Sequence, residues 1–163
     1  MGIRNAARAI IINSGKMLIN KNKNSLGNIC YGLPNGAIYY DLPGGGQNQY
    51  ETLEEAVKRE CLEESGYTVT IDWLAAIYEE ISINRKMRTE YEQYAHKVNF
   101  IFICRLADEP IKQPVEKDLD MLESIWVNID DMKNIPLYPQ IINSNLDLIL
   151  KSGSVFYLGS ERV

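Results

Sequence analysis

The stretch that most constrains this chain lies between the glycines at 44–46 and Gly66, because it specifies one helix, both of its ends and its buried face. Thr52, followed three residues later by Glu55, forms a capping box in which each side chain accepts a hydrogen bond from the other residue's backbone N–H. Gly66 supplies the left-handed stop. A helix is therefore expected over about residues 53–65. At about 100° per residue, Leu53, Ala56, Val57 and Cys61 fall on one arc, the face that a helix buries against a sheet. Glu60, Glu63 and Glu64 fall on the same stripe, beyond the apolar residues.

Carboxylates at i, i+3 and i+4 are neighbours on a helix surface. Like charges there repel, partial burial adds to the cost, and the C-terminal end of the helix dipole disfavours anions. A hard divalent cation with oxygen ligands offsets all of these, and Mg²⁺ or Mn²⁺ is the natural choice. The bland reading makes the three glutamates a solvated face. Against it stand Arg59 beside the cluster, Glu51 eight residues earlier, and the glycine turn just upstream, where backbone can approach a ligand closely.

The rest of the chain reads as a mixed α/β domain. Strands are expected over residues 4–12, 17–19, 37–42, 68–82, 97–106 and 123–127, and a final helix over about 140–151. Residues 98–105 are apolar on both faces, which marks a central strand. Residues 21–36, 84–96 and 107–121 read as loops, the second as a hairpin extension or a mobile loop.

Composition narrows the class. A chain of 163 residues fits one domain, 1–163, and no apolar run approaches the roughly 20 residues that span a bilayer. No secretory signal is recognisable. Cys30, Cys61 and Cys104 have no C-x-x-C or zinc spacing, so a reducing, cytoplasmic setting is expected. The net charge of −5 argues against a general nucleic-acid binder. Short basic patches at Lys21 and Lys23, and at Arg85, Lys86 and Arg88, are solvated loops or steer an anionic substrate. The single histidine, His96, excludes a multi-histidine zinc site.

Residues 45–67 (GGQNQYETLEEAVKRECLEESGY) resemble the Nudix box: Gly, five residues, Glu, seven residues, Arg-Glu, an apolar residue, any residue, Glu-Glu, any residue, Gly and an apolar residue. Gly45, Glu51, Arg59, Glu60, Glu63, Glu64 and Gly66 fill its fixed positions without a gap. Cys61 is a tolerable apolar residue, and Tyr67 is bulkier and more polar than the usual aliphatic one. The resemblance implies the Nudix-fold α/β/α sandwich with a mixed β-sheet. It also implies Mg²⁺-dependent cleavage of the phosphoanhydride bond in a nucleoside diphosphate linked to another moiety: a nucleotide sugar, ADP-ribose or a nucleoside triphosphate. By position, Glu60 and Glu64 would be the principal metal ligands, and Glu63 a third ligand or the group that activates water. Gly44 or Gly45 would lend the metal a backbone carbonyl, and Glu51 and Arg59 would pair to hold helix and loop.

Outside the box, Arg8 and His96 are candidates for substrate contact. Glu90, Glu92, Glu109 and Glu116 are loop candidates for the catalytic base, and Tyr39, Tyr40 and Trp126 either stack on a base or pack in the core. The alternative to catalysis is a module of the same fold that senses a nucleotide without cleaving it. An isomerase or repair glycosylase is a further rival, though a glycosylase would need additional domains. A small-molecule nucleotide is the expected partner, and the oligomeric state, a homodimer included, stays open.

Overall fold

A computed structural model describes residues 2–29, 31–115 and 120–163. In chain order the strands are β1 (Arg4–Asn13), β2 (Lys16–Lys23), β3 (Ile38–Asp41), β4 (Gly44–Gly46), β5 (Val69–Ile81), β6 (His96–Leu106), β7 (Met121–Asn128), β8 (Leu137–Tyr138) and β9 (Phe156–Arg162). The helices are α1 (Leu53–Ser65), α2 (Arg85–Glu90), α3 (Gln140–Ser144) and α4 (Leu146–Ser152).

Strand β1 carries Ala and Ile on both faces, and it accordingly runs inside the sheet. It pairs in parallel with β6 and antiparallel with both β2 and β4. Strand β6 takes β1 on one side and antiparallel β5 on the other, the central position expected from its two apolar faces. The sheet runs β8-β3-β2-β1-β6-β5-β9, with β7 on β2 and β4 on β1, and it mixes parallel and antiparallel pairs.

Each face of this sheet buries its own core. On one, Ala56, Val57 and Cys61 of α1 pack on Ala7, Ala9, Ile11, Leu18, Phe102 and Cys104. On the other, Ile142, Leu146 and Ile149 of α3 and α4 pack on Ile10, Ile19, Ala76 and Ile101. Helices on both faces of a mixed sheet make the expected α/β/α sandwich. No helix among the described residues is long and apolar enough to cross a membrane.

Helix α1 has the expected ends. Thr52 Oγ1 accepts from the Glu55 N–H, Glu55 Oε2 accepts from the Thr52 N–H, and Gly66 stands at φ 76°. Thr52→Ala removes an acceptor from an exposed cap, so a loss of about 1 kcal/mol is expected. For a chain of this size that lowers the Tm by about 3 °C. A thermal melt of the variant checks it, and an unchanged Tm would mean that the cap contributes nothing.

Besides the glycine run and the two-residue β8, four elements depart from the sequence expectation. Strand β2 continues to Lys23 through what reads as a polar loop, because Asn20 and Asn22 are buried and donate to Glu64 and Asp41. Residues 85–90 form α2, started by Asn84 Oδ1 accepting from the N–H groups of Lys86 and Met87. The expected helix at 140–151 divides at Asn145, whose φ of −115° leaves the helical region and whose side-chain amide caps the Ile141 carbonyl. Strand β9 was not expected; it adds in parallel to the edge strand β5.

Candidate active site

The glycine run is not a bend but a strand. Gly44, Gly45 and Gly46 pair with Arg8, Ala7 and Ala6 of β1, and the approach is too close for side chains. A Cβ on Gly44 would lie 2.2 Å from the Ala7 carbonyl oxygen, and one on Gly45 would lie 2.5 Å from the Glu60 carboxyl carbon. The glycines therefore let the carboxylates of α1 press directly against backbone.

Arg59 is the hub of the helix side. Its Nε and Nη2 donate to the two oxygens of Glu51, at 2.7 and 3.0 Å, and Nη2 also donates to the Gly46 carbonyl. Its Nη1 donates to Glu60 Oε1 at 2.8 Å and to Glu63 Oε2 at 3.0 Å. One guanidinium thus ties strand β4, the loop at Glu51 and two glutamates of α1 together, a geometry a lysine cannot supply. Hydrogen bonding from Arg59 holds the Glu51 carboxyl below its ordinary range, and that bonding in turn raises the Arg59 pKa. The pairing expected for Glu51 and Arg59 is present in this geometry.

Glu64 lies deeper. It is buried, and its Oε2 accepts from Asn20 Nδ2 at 2.8 Å and from the Gly44 N–H at 2.9 Å. Burial, and after it the charge of Asp41, lift its pKa to about 8 despite those two donors and Arg8. Burial also pushes Glu60 above the ordinary carboxylate range. Among the described residues, Arg59 bonds Glu51, Glu60 and Glu63, and Arg8 lies 3.7 Å from Asp41.

Among the described residues the three box glutamates do not converge on one point, since Glu60 and Glu63 turn to Arg59 and Glu64 turns to Asn20. The carbonyl of Gly44 is engaged by Arg8 Nη1. The donors are all oxygen, the type that a hard divalent cation takes, and among the described residues no three of them are placed to share one ion.

Beside the glycine strand opens a cleft of about 920 Å³, floored by β1, β6 and β5. Arg8 lines it, with Nη1 donating to the Leu42 and Gly44 carbonyls. Arg4 also lines it, and its guanidinium lies against Gly46 and over the Tyr94 ring at 4.9 Å. Arg4 escaped the sequence reading because neither of those partners is near it in the chain. Tyr31 stacks on Tyr138 with centroids 4.6 Å apart, and Tyr39 meets both edge-on, an aromatic wall at the mouth.

His96 is not among the lining residues. Its Nε2 lies 2.8 Å from Glu79 Oε1, and Glu79 in turn bonds Ser160. Trp126 packs against Tyr67 on the α1 face and donates to its hydroxyl. Of the loop glutamates, Glu90 pairs with Lys86 and Glu109 accepts from Thr68, both exposed, and Glu92 is exposed as well. Glu116 and Cys30 lie outside the described residues.

The family model described as NUDIX domain matches residues 2–145. Among curated proteins none matches the chain. Solved structures match in fold. A NUDIX hydrolase from Nitrosomonas europaea superposes with a TM-score of 0.67 at 17% identity, over 90% of this chain and 87% of that one. An ADP-ribose pyrophosphatase from Streptococcus suis gives 0.61 at 19% identity, over 96% and 99% of the two chains. A MutT protein from Methanosarcina mazei Go1 gives 0.62 at 21% identity, over 92% and 96%.

Proposed function

The chain belongs to the Nudix hydrolase family, and from that premise we propose that it cleaves the phosphoanhydride bond of a nucleoside diphosphate linked to another moiety, with Mg²⁺ or Mn²⁺ as cofactor. The observation that carries the reading is Glu64. Its carboxyl is buried, already bonded by two donors, and still held at a pKa of about 8 by burial and Asp41. A buried carboxyl whose charged form is this disfavoured gains from a bound cation that restores the charge.

Glu60, Glu63 and Glu64 would hold the ion, with a carbonyl of Gly44 or Gly45 beside them. When bound, a divalent cation neutralises charge on the diphosphate oxygens and makes water a better nucleophile. The protein's own part is positioning. Arg59 keeps Glu51, Glu60 and Glu63 on one side of the glycine strand. A box glutamate accepts the proton of the attacking water. Arg4 beside Gly46 and Arg8 beside Gly44, both lining the cleft, would face the phosphates and counter their charge in the transition state. The tyrosines of the mouth offer flat apolar surface to a base. A cytoplasmic setting goes with this reading, since Cys61 and Cys104 are free and buried.

The test is incubation of the purified chain with a panel of nucleoside diphosphate derivatives and Mg²⁺, with and without EDTA. Metal-dependent release of a nucleoside monophosphate is expected, and EDTA should reduce it by at least about two orders of magnitude. Turnover undiminished in EDTA would overturn the cofactor assignment. Binding of the panel with no turnover in Mg²⁺ would make the chain a sensor rather than a hydrolase.

A further inference from the structure

The floor of the cleft carries a charge order that the proposed cleavage does not by itself require. Arg4 on β1 pairs in register with Lys97 on β6, Lys97 with Glu80 on β5, and Glu80 with Glu161 on β9. All four line the cleft, so one row across the sheet reads cation, cation, anion, anion. Strands stand about 4.8 Å apart, which puts the Glu161 end roughly 14 Å from Arg4. Arg4 lies against Gly46, next to the box glutamates, so the cationic end is the end where chemistry is proposed.

Toward the other end the floor no longer favours phosphate. Lys97 is neutralised by Glu80, with Nζ to Oε1 at 2.7 Å. Glu161 accepts from the Tyr78 hydroxyl at 2.6 Å and keeps its other oxygen at the exposed rim. A phosphate carried past the Lys97–Glu80 pair would meet the carboxylate of Glu161, whereas a hydroxyl would find acceptors. A second, independent feature asks for a polar ligand. Asn99, 4% exposed, lines a narrow recess that shares Arg8, Asp41, Tyr31 and Tyr138 with the cleft, and its Nδ2 has no acceptor among the described residues. A buried donor left open in this way is met by a ligand oxygen or by water.

Resting on the hydrolase reading above, we infer that the substrate is a nucleoside diphosphate whose second moiety is uncharged and rich in hydroxyls, a sugar or polyol, and that Glu80 and Glu161 select it over a nucleoside triphosphate. The diphosphate lies over Arg4 and Arg8, and the second moiety extends along the row to β9, donating hydroxyls to the two carboxylates. The family match ends at residue 145, so Glu161 belongs to a part of the chain on which that match is silent.

The purified full-length chain with Mg²⁺ is assayed on UDP-glucose and ADP-ribose against UTP and ATP, and kcat/KM is compared within each base. The diphosphate sugar is expected to lead its triphosphate by tenfold or more. Glu161→Gln keeps an acceptor for the Tyr78 hydroxyl and should shrink that ratio severalfold, and Glu161→Lys, checked for folding by its thermal melt, should shrink it by about tenfold. Triphosphates cleaved as well as or better than the sugars would overturn the inference while leaving the hydrolase reading intact. A ratio that neither variant moves would do the same. If no nucleotide of either class is turned over by folded protein in Mg²⁺, the hydrolase reading itself fails, and this inference falls with it.

Discussion

Glu64→Gln is expected to give a folded protein whose turnover is lower by about three orders of magnitude. Both donors that hold this side chain, Asn20 Nδ2 and the Gly44 N–H, point at Oε2, and the oxygen of a glutamine accepts from them equally well. What the substitution removes is the negative charge. If that charge anchors the cation, several kcal/mol of transition-state stabilisation go with it, at tenfold in rate per about 1.4 kcal/mol. Stability should move the other way. The folded pKa of Glu64, about 8, stands above its ordinary 4.5, so between those values the native state binds the proton that the unfolded chain releases. The contribution of this group is therefore full below about pH 4.5 and lost as pH rises through about 8. Glutamine has no proton to lose. In EDTA, the Tm of the variant should exceed that of the parent at pH 8, and the gap should close toward pH 5. Melting curves of the two proteins that run parallel across that interval would show that the carboxyl is not perturbed.

Gly44→Ala should cost a large share of the fold's stability, about 4 kcal/mol or more against the roughly 5–15 kcal/mol typical of a domain. Gly44 holds φ at +131°, a region that L side chains rarely enter. The added Cβ would meet the Ala7 carbonyl oxygen at 2.2 Å and Arg8 Cα at 2.8 Å, and both are backbone atoms of the neighbouring strand. Relief requires β4 to leave β1, which also breaks the Gly44 N–H bond to Glu64 and the Arg8 bond to the Gly44 carbonyl. Gly45→Ala makes an informative contrast. The three atoms nearest its Cβ all belong to the movable end of Glu60, so the fold should survive while the carboxylate is displaced and activity falls. Urea midpoints measure the difference. Equal midpoints for parent and Gly44→Ala would mean that the close approach of the two strands is wrong.

The helix of the site was readable because its signals are local. Thr52, Glu55 and Gly66 mark its ends within fourteen residues of one another, and the apolar arc marks its face. The carboxylate spacing was equally plain, and so was the central place of β6. What stayed hidden depends on partners far along the chain. Asn20 and Asn22 look like loop residues until Glu64 and Asp41 are seen beside them, which is why β2 ends later than its composition suggests. Arg4 acquires a role only through Gly46 and Tyr94. Strand β9 is recognisable only from the free edge of β5 that it covers. His96, singled out as the lone histidine, turns to Glu79 instead of the cleft, because position on a strand face and not residue type decides what a side chain meets.

The placement of β9 has a bearing on how such a chain can diversify. It is a single rim strand, the last in the sequence, joined to the remainder through one neighbour and remote from the glycine strand and α1. Its Glu161 lines the cleft, so substitution there alters the cleft's far end while the acidic helix keeps its supports. If the proposed selectivity holds, substitution of Glu161 changes it without touching α1 or the glycine strand, and a library at that position is the economical place to look.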